Sequence, residues 1–238
     1  AGYEALEFAG PAVSAMSIRA RMTLCNMSAE LGAQAGLIAP DEVTAKWLAS
    51  RAPDRIRPDD RPDSHWTSDA GSHDGTHFSL DLDALAPQAA APHSPANAAA
   101  ITDHEDASFS VAYIGACTGA KLDDLRAAAT ILKGRKTASG TRLLVAPASR
   151  ADQDRAASEG VMGILEDAGA TVLPTACGMC AGYGPNRLAA DDVCISSTAR
   201  NFRGRMGAPG SRVWLASPAS VAAAAVTGRL TDPRGMER

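Results

Sequence analysis

Apolar and polar positions are patterned most legibly in the second half of the chain. Residues 108–114 form an apolar run that stops at Gly115, and residues 141–146 form a second that stops at Pro147. Both have the length and composition of buried strands, and residues 170–174 supply a third. Between them, residues 121–132 and 152–168 carry helical spacing, closing at the Lys133-Gly134 step and at Gly169. Strand–helix–strand–helix–strand with short links predicts a parallel sheet with helices packed on it. An Ala/Val helix over residues 217–228, starting near Pro218, is expected to pack against that sheet.

The first half is less regular. Leu6, Phe8, Val13, Met16 and Ile18 fall at roughly helical spacing around Gly10-Pro11, and Pro11 suits a first helical turn. Residues 23–30 are expected to enter a helix. Residues 40–49 are expected to open another, with Pro40 at its start and acids in its first turn. Residues 50–75 turn polar and rich in Pro, Asp and Arg, as a loop or insertion does. Residues 78–85 alternate apolar and polar side chains, the pattern of a half-buried strand. The Ala/Pro-rich stretch that follows has no period and reads as a linker. The predicted fold class is α/β: a smaller α/β domain over residues 1–88, a linker over 89–106, and a parallel-sheet α/β/α domain over 107–238.

Composition narrows the class. Hydrophobic residues at 45% and charged residues at 21% are ordinary for a globular chain. No apolar run approaches the ~20 residues needed to cross a bilayer. A net charge of −4 argues against a general nucleic-acid surface. Five cysteines at unequal spacing do not make a disulfide framework, and a reducing cytoplasm is expected.

Three of those cysteines stand beside glycine or other small residues: Cys117 in Gly-Ala-Cys-Thr-Gly, and Cys177 and Cys180 in Ala-Cys-Gly-Met-Cys. All three fall just past predicted strand ends, where open parallel sheets bind ligands. A C-x-x-C pair alone fits a redox dithiol, half of a zinc site, or two thiolates of an iron–sulfur centre. No second C-x-x-C completes a zinc set, and none of the five histidines lies near either loop in sequence. Four thiolates would close a 4Fe–4S cluster, whereas three leave one iron open for Lewis-acid chemistry.

Other polar residues admit two readings each. Asn26 and Glu30, four apart, would share a helical face. They suit either a cap and a solvated charge, or an amide and a carboxylate facing a substrate hydroxyl. Arg200 and Arg205 suit either solvated surface or bidentate clamps for carboxylates. His65, His73 and His77 are irregularly spaced in an acidic, serine-rich context that favours a surface loop over a metal site, and His93 reads as structural. Cys25 has no nearby partner and reads as a buried, inert thiol.

Residues 114–118 (Ile-Gly-Ala-Cys-Thr), 176–180 and 200–205 (Arg-Asn-Phe-Arg-Gly-Arg) resemble the aconitase superfamily. The likeness is greatest to the large subunits of 3-isopropylmalate dehydratase and homoaconitase-type enzymes. Residues 7–11 (Glu-Phe-Ala-Gly-Pro), 22–30, 39–42, 84–87 and 217–219 extend it, so that it runs from about residue 3 to residue 233 with a weaker middle over 51–76. The resemblance implies a 4Fe–4S cluster on Cys117, Cys177 and Cys180 and catalytic roles for Glu30 and Asn26. Arg200 and Arg205 would bind the substrate. Arg203 falls at a variable position, and Cys194 is not a ligand.

The implied activity is that of a hydro-lyase moving a hydroxyl between neighbouring carbons of a 2-hydroxy di- or tricarboxylic acid, 3-isopropylmalate or another substituted malate. The base acting on carbon is, in the family, a serine on a small subunit or mobile swivel domain, so a small-subunit partner is expected. Ala1 falls at a point well into the family's large subunit. A further chain, or the rest of a longer one, is therefore expected to supply an upstream half bearing His and Asp loops. Gly119 and Ala199 stand where the family usually carries Asn, which leaves substrate preference open. The alternatives are a cluster-bearing sensor or RNA-binding protein, which the acidic balance disfavours, and an inactive scaffold subunit.

Overall fold

The computed structural model describes residues 2–51, 66–69, 75–104 and 106–236. His65 and His73 lie outside the described residues, and His77 is exposed. The chain divides into two compact units, Ala1–Leu85 and Ala86–Arg238.

In the first unit, β1 (Ala5–Glu7) pairs in parallel with β2 (Ala35–Leu37). Three helices accompany them: α1 (Pro11–Ala15), α2 (Ile18–Met27) and α3 (Glu42–Arg51). Pro11 occupies the first turn of α1, as expected. Asp41 Oδ1 accepts the N–H groups of Val43 and Thr44 and so starts α3; Pro40 precedes this cap rather than opening the helix. Arg21, 3% exposed, ties the helices together. Its guanidinium donates to the carbonyls of Ser14 and Met16 and to both Asp41 carboxylate oxygens, each at 2.7 Å. That pairing holds the Asp41 carboxyl down to about 2.

Two expectations change here. Residues 23–30 close a helix instead of entering one: α2 ends at Met27, tightens into a 3-10 turn over Ser28–Leu31, and stops at Gly32 with φ 77°. Asn26 and Glu30 therefore do not share a continuous α-helical face. Residues 78–85 form no strand, and Phe78, Leu80, Leu82 and Leu85 are exposed. Alternation yields a strand only where a sheet edge takes up the backbone groups, and β1 and β2 pair only with each other among the described residues.

The second unit is built on a seven-stranded sheet. Its strands are β3 (Gln88–Ala90), β4 (Ala98–Ala100), β5 (Val111–Gly115), β6 (Arg142–Ala146), β7 (Thr171–Val172), β8 (Val193–Ser196) and β9 (Arg212–Ala216). Residues 89–106, expected as a linker, instead carry most of the β3–β4 hairpin, which joins the sheet through the pairing of β3 with β9. The spatial order is β4-β3-β9-β8-β5-β6-β7, with β5 to β9 parallel. The chain leaves β5 through β6 and β7, then returns to its other side as β8. Strand order thus reverses between β5 and β8, the crevice where open parallel sheets take their ligands.

Helices cover one face of this sheet: α5 (Leu122–Leu132), α6 (Arg150–Ser158), α7 (Val161–Asp167) and α8 (Pro218–Thr227). The single helix expected over 152–168 is two, broken at Gly160, whose φ of 76° takes the backbone out of the helix. On the other face, irregular chain from the 173–192 and 197–211 connections lays Leu173, Met179, Leu188 and Met206 over Tyr113, Leu144 and Val213.

Candidate metal centre

Cys117 is set by the way β5 ends. Gly115 leads into the single turn α4 (Ala116–Gly119), and Ala116 takes φ 70°, a conformation few residues with a Cβ adopt. Buried Lys121 stitches this turn from beneath: Nζ donates to the carbonyls of Cys117 at 3.1 Å and Thr118 at 2.6 Å and pairs with Asp124 at 3.4 Å. Ser197, just past β8, fastens it from the side. Its Oγ accepts the Gly115 N–H at 3.0 Å and donates to the Gly119 carbonyl at 2.9 Å. The two loops that diverge at the reversal of strand order are thereby locked together.

Cys177 and Cys180 follow β7 in a 3-10 turn over Gly178–Ala181 that ends at Gly182. Met179 is buried and pins this turn to the sheet, which leaves Cys177 exposed and Cys180 half-buried. Arg205 Nε donates to the Cys180 carbonyl at 2.9 Å. Burial pushes the Cys180 thiol up; the Arg205 hydrogen bond opposes this, and the nearby Cys117 and Cys177 sulfurs add to the rise. Cys180 and Met179 pack on the same apolar cluster as Tyr113 of β5, the strand that leads to Cys117. Cys194 is buried in β8, its thiol raised by desolvation, and Cys25 lies on α2 in the other unit.

Among the described residues no three His, Cys, Asp or Glu side chains converge tightly enough for a single metal ion. A mononuclear zinc site gathers its thiolates within one sphere at about 2.3 Å from the metal. A cubane instead gives each thiolate its own iron, so its ligands stand further apart. Three cysteines, one in the turn after β5 and two in the turn after β7, are the soft donor set that iron–sulfur chemistry takes. The residues present fit such a cluster.

The other candidate residues divide between the units. Arg200, half-buried, follows β8 at the same sheet edge. Asn201 is buried beside it and donates to the carbonyl of Ala91 at 2.8 Å. Asn26, exposed on the last turn of α2, and Glu30, in the 3-10 turn, belong to the first unit. Lys121, Ser197 and Met179 were not singled out by sequence. Their signal, a lysine ahead of a helix, a serine after a strand and a lone Met in a cysteine turn, is common to many loops. Gly119 is not a shortened Asn, because a Cβ there would lie 2.2 Å from the Ser197 carbonyl oxygen.

Fold and site together define an α/β protein whose mostly parallel sheet carries cysteines in the turns that follow β5 and β7. The family model described as Aconitase family (aconitate hydratase) matches residues 2–228, and the chain belongs to the aconitase family. It is 40% identical over 235 residues to 3-isopropylmalate dehydratase large subunit 1 of Methanopyrus kandleri, covering 98% of this chain and 54% of that protein. It is 42% identical over 234 residues to large subunit 2 of the Archaeoglobus fulgidus enzyme, covering 98% and 55%. A probable methanogen homoaconitase large subunit of Methanosarcina mazei is 40% identical over 235 residues, covering 98% and 57%. The chain spans about half the length of these relatives and aligns with their C-terminal part.

Proposed function

We propose that this chain is the cluster-bearing part of a hydro-lyase that dehydrates and rehydrates a 2-hydroxy di- or tricarboxylic acid. The observation that carries the reading is the donor set, Cys117 in the turn after β5 and Cys177 and Cys180 in a turn whose Met179 packs with Tyr113 of β5, with Arg205 donating to the Cys180 carbonyl. These cysteines would hold a 4Fe–4S cluster with one iron lacking a protein thiolate. When bound, such a centre supplies a Lewis acid for a departing hydroxyl.

The chain's own residues do the rest. Arg200 and Arg205 neutralise substrate carboxylates, and Arg205, whose Nε is engaged at Cys180, offers its remaining N–H groups. Asn26 orients the substrate, and Glu30 takes and returns the proton of the water that is eliminated and re-added. A small subunit carrying the swivel domain supplies the base on carbon. A polypeptide equivalent to the relatives' N-terminal part supplies the remaining loops. Thiolate ligation suits the reducing cytoplasm. Relatives named for isopropylmalate and homoaconitate favour a substituted malate as substrate.

Anaerobic reconstitution with iron and sulfide, followed by electron paramagnetic resonance with and without candidate hydroxy acids, tests this. A spectrum that changes with a substituted malate supports the hydro-lyase. A cluster indifferent to every hydroxy acid contradicts it and favours a scaffold.

A further inference from the structure

Tyr113 sits in the middle of β5, the central strand leading to Cys117, and is 0% exposed. Its hydroxyl finds no hydrogen-bond partner among the described residues. A buried hydroxyl without a partner is unfavourable, so native interiors rarely hold one. Its position is informative. The side chain lies on the loop-covered face, packed with Met179, Leu188, Met206 and Cys194, and half-buried Cys180 packs on the same cluster. The ring reaches forward under the turn that leads into Cys117: a Cβ at Gly115 would lie 2.2 Å from Tyr113 Cζ and 2.4 Å from its hydroxyl oxygen. Gly115 thus leaves the space that the phenol tip fills. The group is a buried O–H donor whose tip lies beneath the turn leading to Cys117 and whose ring shares an apolar cluster with Cys180.

We infer that the Tyr113 hydroxyl donates a hydrogen bond to a sulfur of the cluster held by Cys117, Cys177 and Cys180, and so tunes that cluster. The inference rests on the cluster reading above. Sulfide and thiolate are the acceptors such a site would bring to an otherwise apolar pocket. A donor to cluster sulfur stabilises the reduced, more negative state, and hydrogen bonds of this kind are among the determinants of cluster potential. Tyr113 touches no substrate in this account; it is a positioning residue acting through the cluster.

Tyr113→Phe removes the hydroxyl and keeps the ring. The full chain and this variant are reconstituted anaerobically beside Tyr183→Phe, a control at an exposed tyrosine three residues past Cys180. Iron per chain, reduction potential and the spectrum of the reduced cluster are then compared. Equal iron uptake is expected in all three, with a more negative potential and an altered spectrum in Tyr113→Phe alone. An exchangeable proton coupled to the reduced cluster is expected in the unsubstituted chain and not in Tyr113→Phe. Without iron, Tyr113→Phe melts no lower than the unsubstituted protein, since it loses no bond. Identical potentials and spectra, or a lower melting temperature of the iron-free variant with an unchanged potential, would overturn the inference while leaving the cluster reading standing. Failure of the unsubstituted chain to take up iron would overturn both.

Discussion

Position 119 shows how a local contact governs what a substitution can do. Restoring an amide by Gly119→Asn does not rebuild a substrate contact in this backbone, because its Cβ meets the Ser197 carbonyl and side chain at 2.2 and 2.6 Å. Overpacking of that kind costs about 1–3 kcal/mol. Thermal unfolding of the second unit should therefore shift down, with no gain in hydroxy-acid binding. Arg21 and Asp41 set a residue-scale rule for acid. The Asp41 carboxyl, at about 2 in the folded chain, lies below the ~3.9 of an unfolded aspartate. Its contribution is thus complete above about pH 4 and lost as pH falls through 2. With Asp41 38% exposed, solvent screening keeps that contribution small, about 1 kcal/mol. Amide exchange over residues 11–51, corrected for intrinsic rates, should lose protection across that window. Asp41→Asn should flatten the pH dependence and weaken protection at neutral pH.

At the scale of elements, the loop bearing Arg200 is held by Asn201, whose side-chain amide reaches the carbonyls of Ala91 and Ser94 in the β3–β4 turn. Asn201→Ala leaves the part-buried carbonyls of Ala91 and Ser94 without this donor, at about 1 kcal/mol. Faster exchange is expected in residues 88–100 and 197–211 together, with the helical face unchanged. The elements legible in the sequence were those with enough residues to show a period or an uninterrupted apolar run: β5, β6, α5 and α8. Several of those missed were short or built of small residues, although β9, as long as β5 and with Val213, Trp214 and Leu215 in it, was missed as well. β3 and β4 are alanine-rich and carry no alternation, and β8 is four residues long. The strand expected at 78–85 had the right alternation but pairs with no strand among the described residues. Pattern reports which face could be buried; pairing depends on neighbours distant in sequence. The cysteines could be singled out as candidates because a C-x-x-C turn is local in sequence. Lys121, Ser197 and Tyr113, which support them, become meaningful only once β5 and β8 lie side by side.

The two units differ as whole bodies. Of the twelve large apolar side chains exposed among the described residues, ten belong to Ala1–Leu85. Among that unit's described residues only Arg21, Ser28 and Ala33 are buried. A body with so little core opens locally at low free energy. Its amides should exchange well before those of the second unit, and adding a polypeptide equivalent to the relatives' N-terminal part should slow them. No slowing would argue against that polypeptide as a partner. The central claim concerns the second unit and is tested most directly by changing each of the five cysteines to serine in turn and counting iron after anaerobic reconstitution. Cys117→Ser, Cys177→Ser and Cys180→Ser are each expected to lower iron sharply and to lose the cluster spectrum, while Cys25→Ser and Cys194→Ser retain both. Full iron uptake in Cys117→Ser, or loss of iron only when Cys25 or Cys194 is changed, would contradict the account.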